Sequence, residues 1–367
     1  MAKKKVIPIF PRTKPKEFFR TLTKRVNKYF KDKDIKKTGN WKLYVKTLIM
    51  FSLYCIPYFV LLLLSIPGWL QFMMIIIMGI GMAGIGMNVM HDANHGSYSS
   101  KTWVNKIMGS SIYILAGNVY NWQIQHNVLH HTYTNIHGHD EDLEAGRILR
   151  FSPFAKWVKK HKLQHYYGIF LYGLLTFNWV ISTDFKQTRK YLKRKLSFRK
   201  FPNPIYQWAT VIISKVCYIS IFLIIPILYS GVSWWKILIG FFIMHYVAGI
   251  ILSIIFQLAH IVEDVEMTEP DELGRMGNTW AIHQLQTTAN FAVKNKFMNW
   301  YSGGLNRQIE HHIFPNISHI HYGKIGKIVR ETAREFSLPY KEYATTRAAL
   351  VAHINHLKNM GINPEHG

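Results

Sequence analysis

Charge-free apolar residues fill 47–66 and again 69–90. Each run reaches the roughly 20 residues that a helix needs to cross a bilayer. Only Pro67-Gly68 separates them, so they predict a tight helical hairpin, and Gly79, Gly81, Gly84 and Gly86 let the second helix pack closely. A second pair, 207–229 and 235–259, turns at Ser230-Gly231-Val232-Ser233. Stretches 104–117 and 168–181 are apolar but too short to span; the first is expected to be re-entrant, interfacial or buried, the second interfacial. Amphipathic patterns at 322–336 and 343–358 predict packing helices, and a weaker one covers 280–291. The fold class expected is an all-α integral membrane protein with four transmembrane helices in two hairpins and a cytosolic helical cap. Its segments are a basic cytosolic stretch 1–42, hairpin 43–90, a cytosolic or interfacial region 91–206, hairpin 207–259 and a cap 260–367.

Charge orients this picture. The chain has 367 residues with 45 Lys+Arg against 20 Asp+Glu, a net +25, and is 49% hydrophobic. A basic excess alone fits nucleic acid; joined to long apolar runs it fits a membrane protein with a basic cytosolic side and no nucleic-acid partner. The basic residues cluster before the first run (Lys3-Lys4-Lys5, Arg20, Lys24-Arg25, Lys36-Lys37) and over 186–200, while neither short loop between paired runs holds Lys or Arg. Both termini are therefore expected on the cytosolic side. Residues 18–30 read as a solvated flank or as an amphipathic helix on anionic lipid. Arg189, Lys190, Lys193 and Arg194 are candidates for an anionic head group. Lys215 is expected to snorkel toward the cytosol, and Pro226 to kink or end its helix.

Histidine supplies the candidate chemistry. His91 and His95 stand i, i+4 where the second run ends; His126, His130 and His131 stand i, i+4, i+5; His311 and His312 are adjacent; His260 ends the fourth run. On an α-helix, His126 and His130 would aim at one metal and His131 at a second beside it. With two crossings before His91 and two more before His260, these residues emerge at one cytosolic level. Eight imidazoles suit two metals with open positions. Imidazole binds iron, zinc, copper and nickel alike. No CxxC offers thiolates, because Cys55 and Cys217 lie in apolar runs. A site at the membrane face, open to an acyl chain, points to two Fe ions and O2, since zinc has no redox cycle and no general base removes an unactivated C–H hydrogen. Asp140-Glu141-Asp142 reads either as acceptors for histidine N–H groups or as a plain polar loop. His245, alone in an apolar run, and His137 and His139, in a polar loop, read as packing and loop residues.

These motifs resemble the integral-membrane fatty acid desaturases: His91-Asp92-Ala93-Asn94-His95-Gly96, His126-Asn127-Val128-Leu129-His130-His131, and Gln308-Ile309-Glu310-His311-His312-Ile313-Phe314-Pro315. The resemblance covers nearly the whole chain after the leader. It implies a histidine-bound diiron centre with His260 as the isolated ligand. It also implies O2-dependent insertion of a cis double bond into an acyl-CoA or acyl-lipid. Gln308, where many acyl-CoA desaturases have His, is similar to the front-end group, which works between an existing double bond and the carboxyl end. Gln308, His283, Asp92 and Glu310 are further candidates as metal contacts or as partners of the ligands. The sequence lacks the His-Pro-Gly-Gly haem motif of fused cytochrome b5 domains, so a separate ferredoxin- or cytochrome b5-type donor is expected. The alternatives are a membrane diiron hydroxylase and, from another class, a divalent-metal transporter. A transporter would place its ligands near mid-membrane.

Overall fold

In chain order the first helices are α1 (Lys16–Asp32), α2 (Trp41–Leu63), α3 (Gly68–His95), α4 (Thr102–Gly109), α5 (119–133), α6 (Gln164–Tyr172) and α7 (175–193). They are followed by α8 (Pro204–Tyr229), α9 (Trp234–His260), α10 (Trp280–Thr287), α11 (Lys296–Tyr301), α12 (Gln308–Ile313), α13 (Tyr322–Glu335) and α14 (Thr346–Met360). This computed structural model describes residues 7–11, 16–143, 146–198 and 202–363. The Lys3-Lys4-Lys5 run, Arg199-Lys200 and the extreme termini lie outside the described residues.

Helices α2, α3, α8 and α9 are long and apolar enough to cross a membrane. Their most apolar windows are 22%, 61%, 17% and 39% buried, so α3 is the central helix and α2 and α8 are lipid-facing flanks. Glycine makes this possible. A Cβ on Gly81 would sit 2.7 Å from the Tyr54 backbone nitrogen on α2, and one on Gly79 would sit 2.8 Å from the Met244 carbonyl oxygen on α9. The glycines thus let α3 approach backbones on both sides.

Several helices change pitch. α3 passes through a π-helical turn, Gly86–Met90, just before His91. α8 does so at Ser220–Ile224, immediately before Pro226, which relieves the proline's clash by widening the turn behind it. The 104–117 stretch becomes α4 followed by a 3-10 turn, Ser110–Leu115, half-buried under α3. The 168–181 stretch ends α6 and begins α7, both packed on α9.

Two expectations need correction. Phe18, Leu22, Val26 and Phe30 recur every four residues along α1, but this stripe packs on Ile325, Val329 and Ala333 of α13 rather than on lipid. Arg25 reinforces the contact through Glu335, at 2.7 Å. A helix whose apolar face is already buried in protein has none left for a membrane. Lys215 does not snorkel. It is 4% exposed and donates to Asp184 of α7 and to the Ala116 carbonyl, because a buried partner lies closer than the membrane surface.

The segment after α9 returns over the ends of α3 and α5. Two short parallel strands, β1 (Asn290–Phe291) and β2 (Glu342–Tyr343), tie it together, and α12 lies buried beneath α13.

Candidate metal centre

Burial and helix ends bring the histidines together. α3 delivers His91 and His95 in its last turn, where Gly96 stops the helix with φ at 79°. α5 delivers His126, His130 and His131 through a π-helical stretch, Gln123–His130. There the His131 N–H bonds the His126 carbonyl, the i→i+5 pattern of a π-helix. His131, rather than His130, therefore follows His126 by one turn, and their Nε2 atoms lie 3.3 Å apart. His126 and His130 also stay together, stacked with centroids 5.2 Å apart and grouped with Asp142.

Two separate groups result, joined by further sets that share their members. His91, His95, His126 and His311 hold their ring nitrogens within 4.8 Å of one another, and so do His130, His260 and His312. His131 joins His311 and His312 in a third set that connects the two. Ring centroids repeat the pattern: His91–His311 4.5 Å, His95–His131 4.8 Å, His131–His312 4.5 Å and His130–His260 4.8 Å.

The outward-facing nitrogens are held. Nδ1 of His126 donates to Asp142 at 2.8 Å, and Nδ1 of His130 donates to Asp140 at 2.9 Å. His312 Nδ1 donates to Gln284 Oε1 at 2.8 Å, and His311 Nδ1 meets the Tyr322 hydroxyl at 3.1 Å. Opposite them, Nε2 of His95, His130, His260, His311 and His312, with both ring nitrogens of His91, are buried and unpartnered. Unpaired buried nitrogens are costly. A set of them converging from four parts of the chain, with Nδ1 of His126, His130, His311 and His312 held by hydrogen bonds, fits metal ligands and the contacts that orient them. Burial, with neighbouring imidazoles behind it, holds His126, His130, His131, His311 and His312 well below the usual histidine range. They are neutral, the form that binds metal.

The other candidates fall elsewhere. Gln308 is buried beside the cluster, with Oε1 unpartnered. Asp92 turns from the gathered rings to accept from His319 Nδ1 at 2.9 Å and Ser318 Oγ at 2.7 Å. Glu310 points to the far side of α12, accepting from Asn290 at 2.9 Å and Tyr340 at 2.6 Å, and so anchors the helix. His283 donates to the Thr134 carbonyl at 2.7 Å and packs on Phe10, outside every cluster. Its helix presents it to the backbone behind α5. Lys190 and Arg194 pair with Glu141, at 2.8 and 2.9 Å, so only Arg189 and Lys193 of the proposed head-group residues remain exposed without that pairing. His245 sits between the Tyr218 hydroxyl and Thr176 as a packing residue.

Sequence reasoning missed Gln284, Tyr322 and Trp122, which stacks on His126 at 4.6 Å. It also missed the buried chain Lys46–His319–Asp92 behind His91. No spacing rule marks such residues, because each reaches the site from a remote element.

A cavity opens onto the cluster. Its walls include Met87, Leu115 and Leu252 as well as His91, His126 and Gln308. Apolar helices long enough to span a membrane that end at a buried imidazole cluster able to hold metal, beside a largely apolar cavity, define a candidate membrane metalloprotein. The sequence model of fatty acid desaturases matches residues 67–344. The chain is 37% identical over 349 residues to an sn-1 linoleoyl-lipid 6-desaturase of Arthrospira platensis, covering 95% of this chain and 94% of that one. It is 35% identical to a protein of the same description from a Synechocystis strain, over 95% and 97%. To an acyl-lipid (8-3)-desaturase of Mortierella alpina it is 33% identical, over 98% and 80%. The chain belongs to the fatty acid desaturase family and is a membrane oxidoreductase.

Proposed function

We propose that this protein is a front-end acyl-lipid desaturase, which uses O2 to insert a cis double bond between an existing one and the ester end. The observation that carries the reading is the set of buried imidazoles, with Nδ1 of His126, His130, His311 and His312 tied down and Nε2 of His91, His95, His130, His260, His311 and His312 unpartnered, beside an apolar cavity. The relatives named as linoleoyl-lipid 6-desaturases and acyl-lipid (8-3)-desaturases support the lipid-linked substrate and the front-end position.

His91, His95, His126 and His311 would hold one iron and His130, His260 and His312 the other, with His131, grouped with His311 and His312, available to either and Gln308 buried beside them. Two irons supply the redox equivalents with which dioxygen can oxidise an unactivated methylene pair. The chain's own residues do the rest. Asp140, Asp142 and Gln284 orient the imidazoles and fix their tautomers. Trp122 closes the floor against His126. Met87, Leu115 and Leu252 exclude water and hold the acyl chain against the histidines.

The membrane arrangement belongs to the same reading. Helices α2 and α3 form one hairpin and α8 and α9 the other. Residues 1–42 and 260–367, with the active site, face the cytosol, and 91–206 lies at the interface. Uncharged turns at 64–67 and 230–233 and the basic cluster on α7 support that orientation. A separate acidic ferredoxin- or cytochrome b5-type donor would dock on the basic cytosolic face.

Expression in a host of defined fatty-acid composition, with mass-spectrometric location of new double bonds, tests the proposal. New unsaturation on the ester side of an existing double bond is expected. Hydroxylated chains instead would favour the hydroxylase. Metal uptake by proteoliposomes without any lipid oxidation would favour a transporter.

A further inference from the structure

The wall of the cavity is polar along one stretch, where Asn118, Gln125, Asp184 and Gln187 line it. Most of these groups are already engaged. Asp184 accepts from Lys215 and Asn121, and Gln187 donates to Gln125, which donates to Asp142. Asn118 differs. It caps α5, with Oδ1 accepting from the Asn121 N–H at 3.2 Å. That bond fixes which way the amide lies, because a reversed amide would set N–H against N–H. Nδ2 is then left buried without a partner on a residue only 1% exposed. An unsatisfied buried donor calls for an explanation. Among the described residues, the other cavity amides with a buried unpartnered atom are Gln257 and Gln308, and both offer Oε1, an acceptor. An acyl ester carries acceptors only, so its carbonyl needs a donor.

We propose that Asn118 Nδ2 donates a hydrogen bond to the carbonyl oxygen of the acyl ester, and so sets how far from the ester end the chain is oxidised. The inference rests on the front-end reading above. His126 follows Asn118 by eight residues along α5. From Gln123 onward α5 is π-helical, which shortens the rise, so the two lie closer along the axis than the about 12 Å that eight α-helical residues would span. A close spacing fits a short acyl segment between carbonyl and histidine cluster, as oxidation near the ester end demands. Asn118 is on this view a substrate-binding residue that determines specificity.

The test compares wild type with Asn118→Asp and Asn118→Ser in the reconstituted full chain, with ester-linked and ether-linked versions of one unsaturated lipid. Aspartate keeps the helix cap and removes the donor; serine keeps the cap and a hydroxyl that can donate. Asn118→Asp should retain wild-type iron per chain, yet form about tenfold less product from the ester, as expected for one lost hydrogen bond to a buried carbonyl. Its double bonds should spread over neighbouring positions, and Asn118→Ser should recover most of both properties. Wild type should lose the same preference on the ether lipid, which lacks the carbonyl, so the result does not depend on any variant folding. A thioester of the same chain, run in parallel, shows which carbonyl carrier the protein accepts. Equal rate and position for wild type and Asn118→Asp, or equal handling of ester and ether by wild type, would overturn the assignment. A wild type that hydroxylates the ester lipid at one fixed position would instead overturn desaturation and leave Asn118's role standing.

Discussion

At the scale of single residues, imidazoles that face the cluster are expected to behave differently from those that do not. Alanine at His126, His260 or His312 is expected to abolish product while the protein still inserts in the membrane, and lipid analysis beside membrane fractionation checks this. His245→Ala should cost stability, because it strands the Tyr218 hydroxyl, yet retain iron. Iron lost from that variant would make the ligand set incomplete. Asp140→Asn keeps the size of the side chain that holds His130 Nδ1 but removes its charge, and metal affinity should fall by about 10- to 100-fold. Chelator competition reads that directly. The eight gathered histidines were legible in the sequence because each motif is compact. Asp92, Glu310 and His283 were not legible in their roles: a residue next to a ligand in sequence can point to the opposite face, and only packing decides which. Glu310 shows this, since one step along α12 separates a carboxylate held by Tyr340 from an imidazole held by Tyr322.

At the scale of elements, the lessons concern pitch and pairing. Runs 47–66 and 69–90 were readable as spanning helices from length and polarity alone. The π-helical stretch in α5 was not, because no local composition announces an extra residue per turn, and it sets His131 one turn from His126. The Lys215–Asp184 pair was hidden for another reason: Asp184 lies 31 residues earlier, on a separate helix. Breaking a buried pair from one side leaves a stranded charge. Lys215→Met should therefore destabilise by about 3–5 kcal/mol, whereas Lys215→Met with Asp184→Leu should recover much of it. Thermal melting in detergent measures both. Helix α14 carries a pH-dependent contact: His353 bonds the Tyr172 hydroxyl and the Ile261 carbonyl, and burial lowers its pKa from 6.5 to about 4. Below pH 6.5 the unfolded chain takes up a proton that the folded one refuses, so stability present above that pH is lost as pH falls toward 4. The loss should approach roughly 3 kcal/mol by the lower end. A melting temperature that falls between pH 7 and pH 5, with a shallower fall in His353→Gln, is the expected result.

At the scale of the molecule, the stem and the folded-back segment form one device. α3 and α9 run through the apolar layer and end at His95 and His260, and α5 and α12 cross over them to close the ring of imidazoles. The Gly79 and Gly81 contacts set how near α2 and α9 approach α3, and so where the two helix ends stand. Gly81→Leu should separate α2 from α3 and lower both melting temperature and iron retention, which one metal-loading assay on heated samples reports. Iron content per polypeptide of the purified, reconstituted protein, measured by plasma mass spectrometry, tests the whole account most directly. Two irons are expected in wild type, falling to one or fewer in His311→Ala and in His130→Ala. Wild type that holds no redox metal, or two irons retained in both variants, would contradict it.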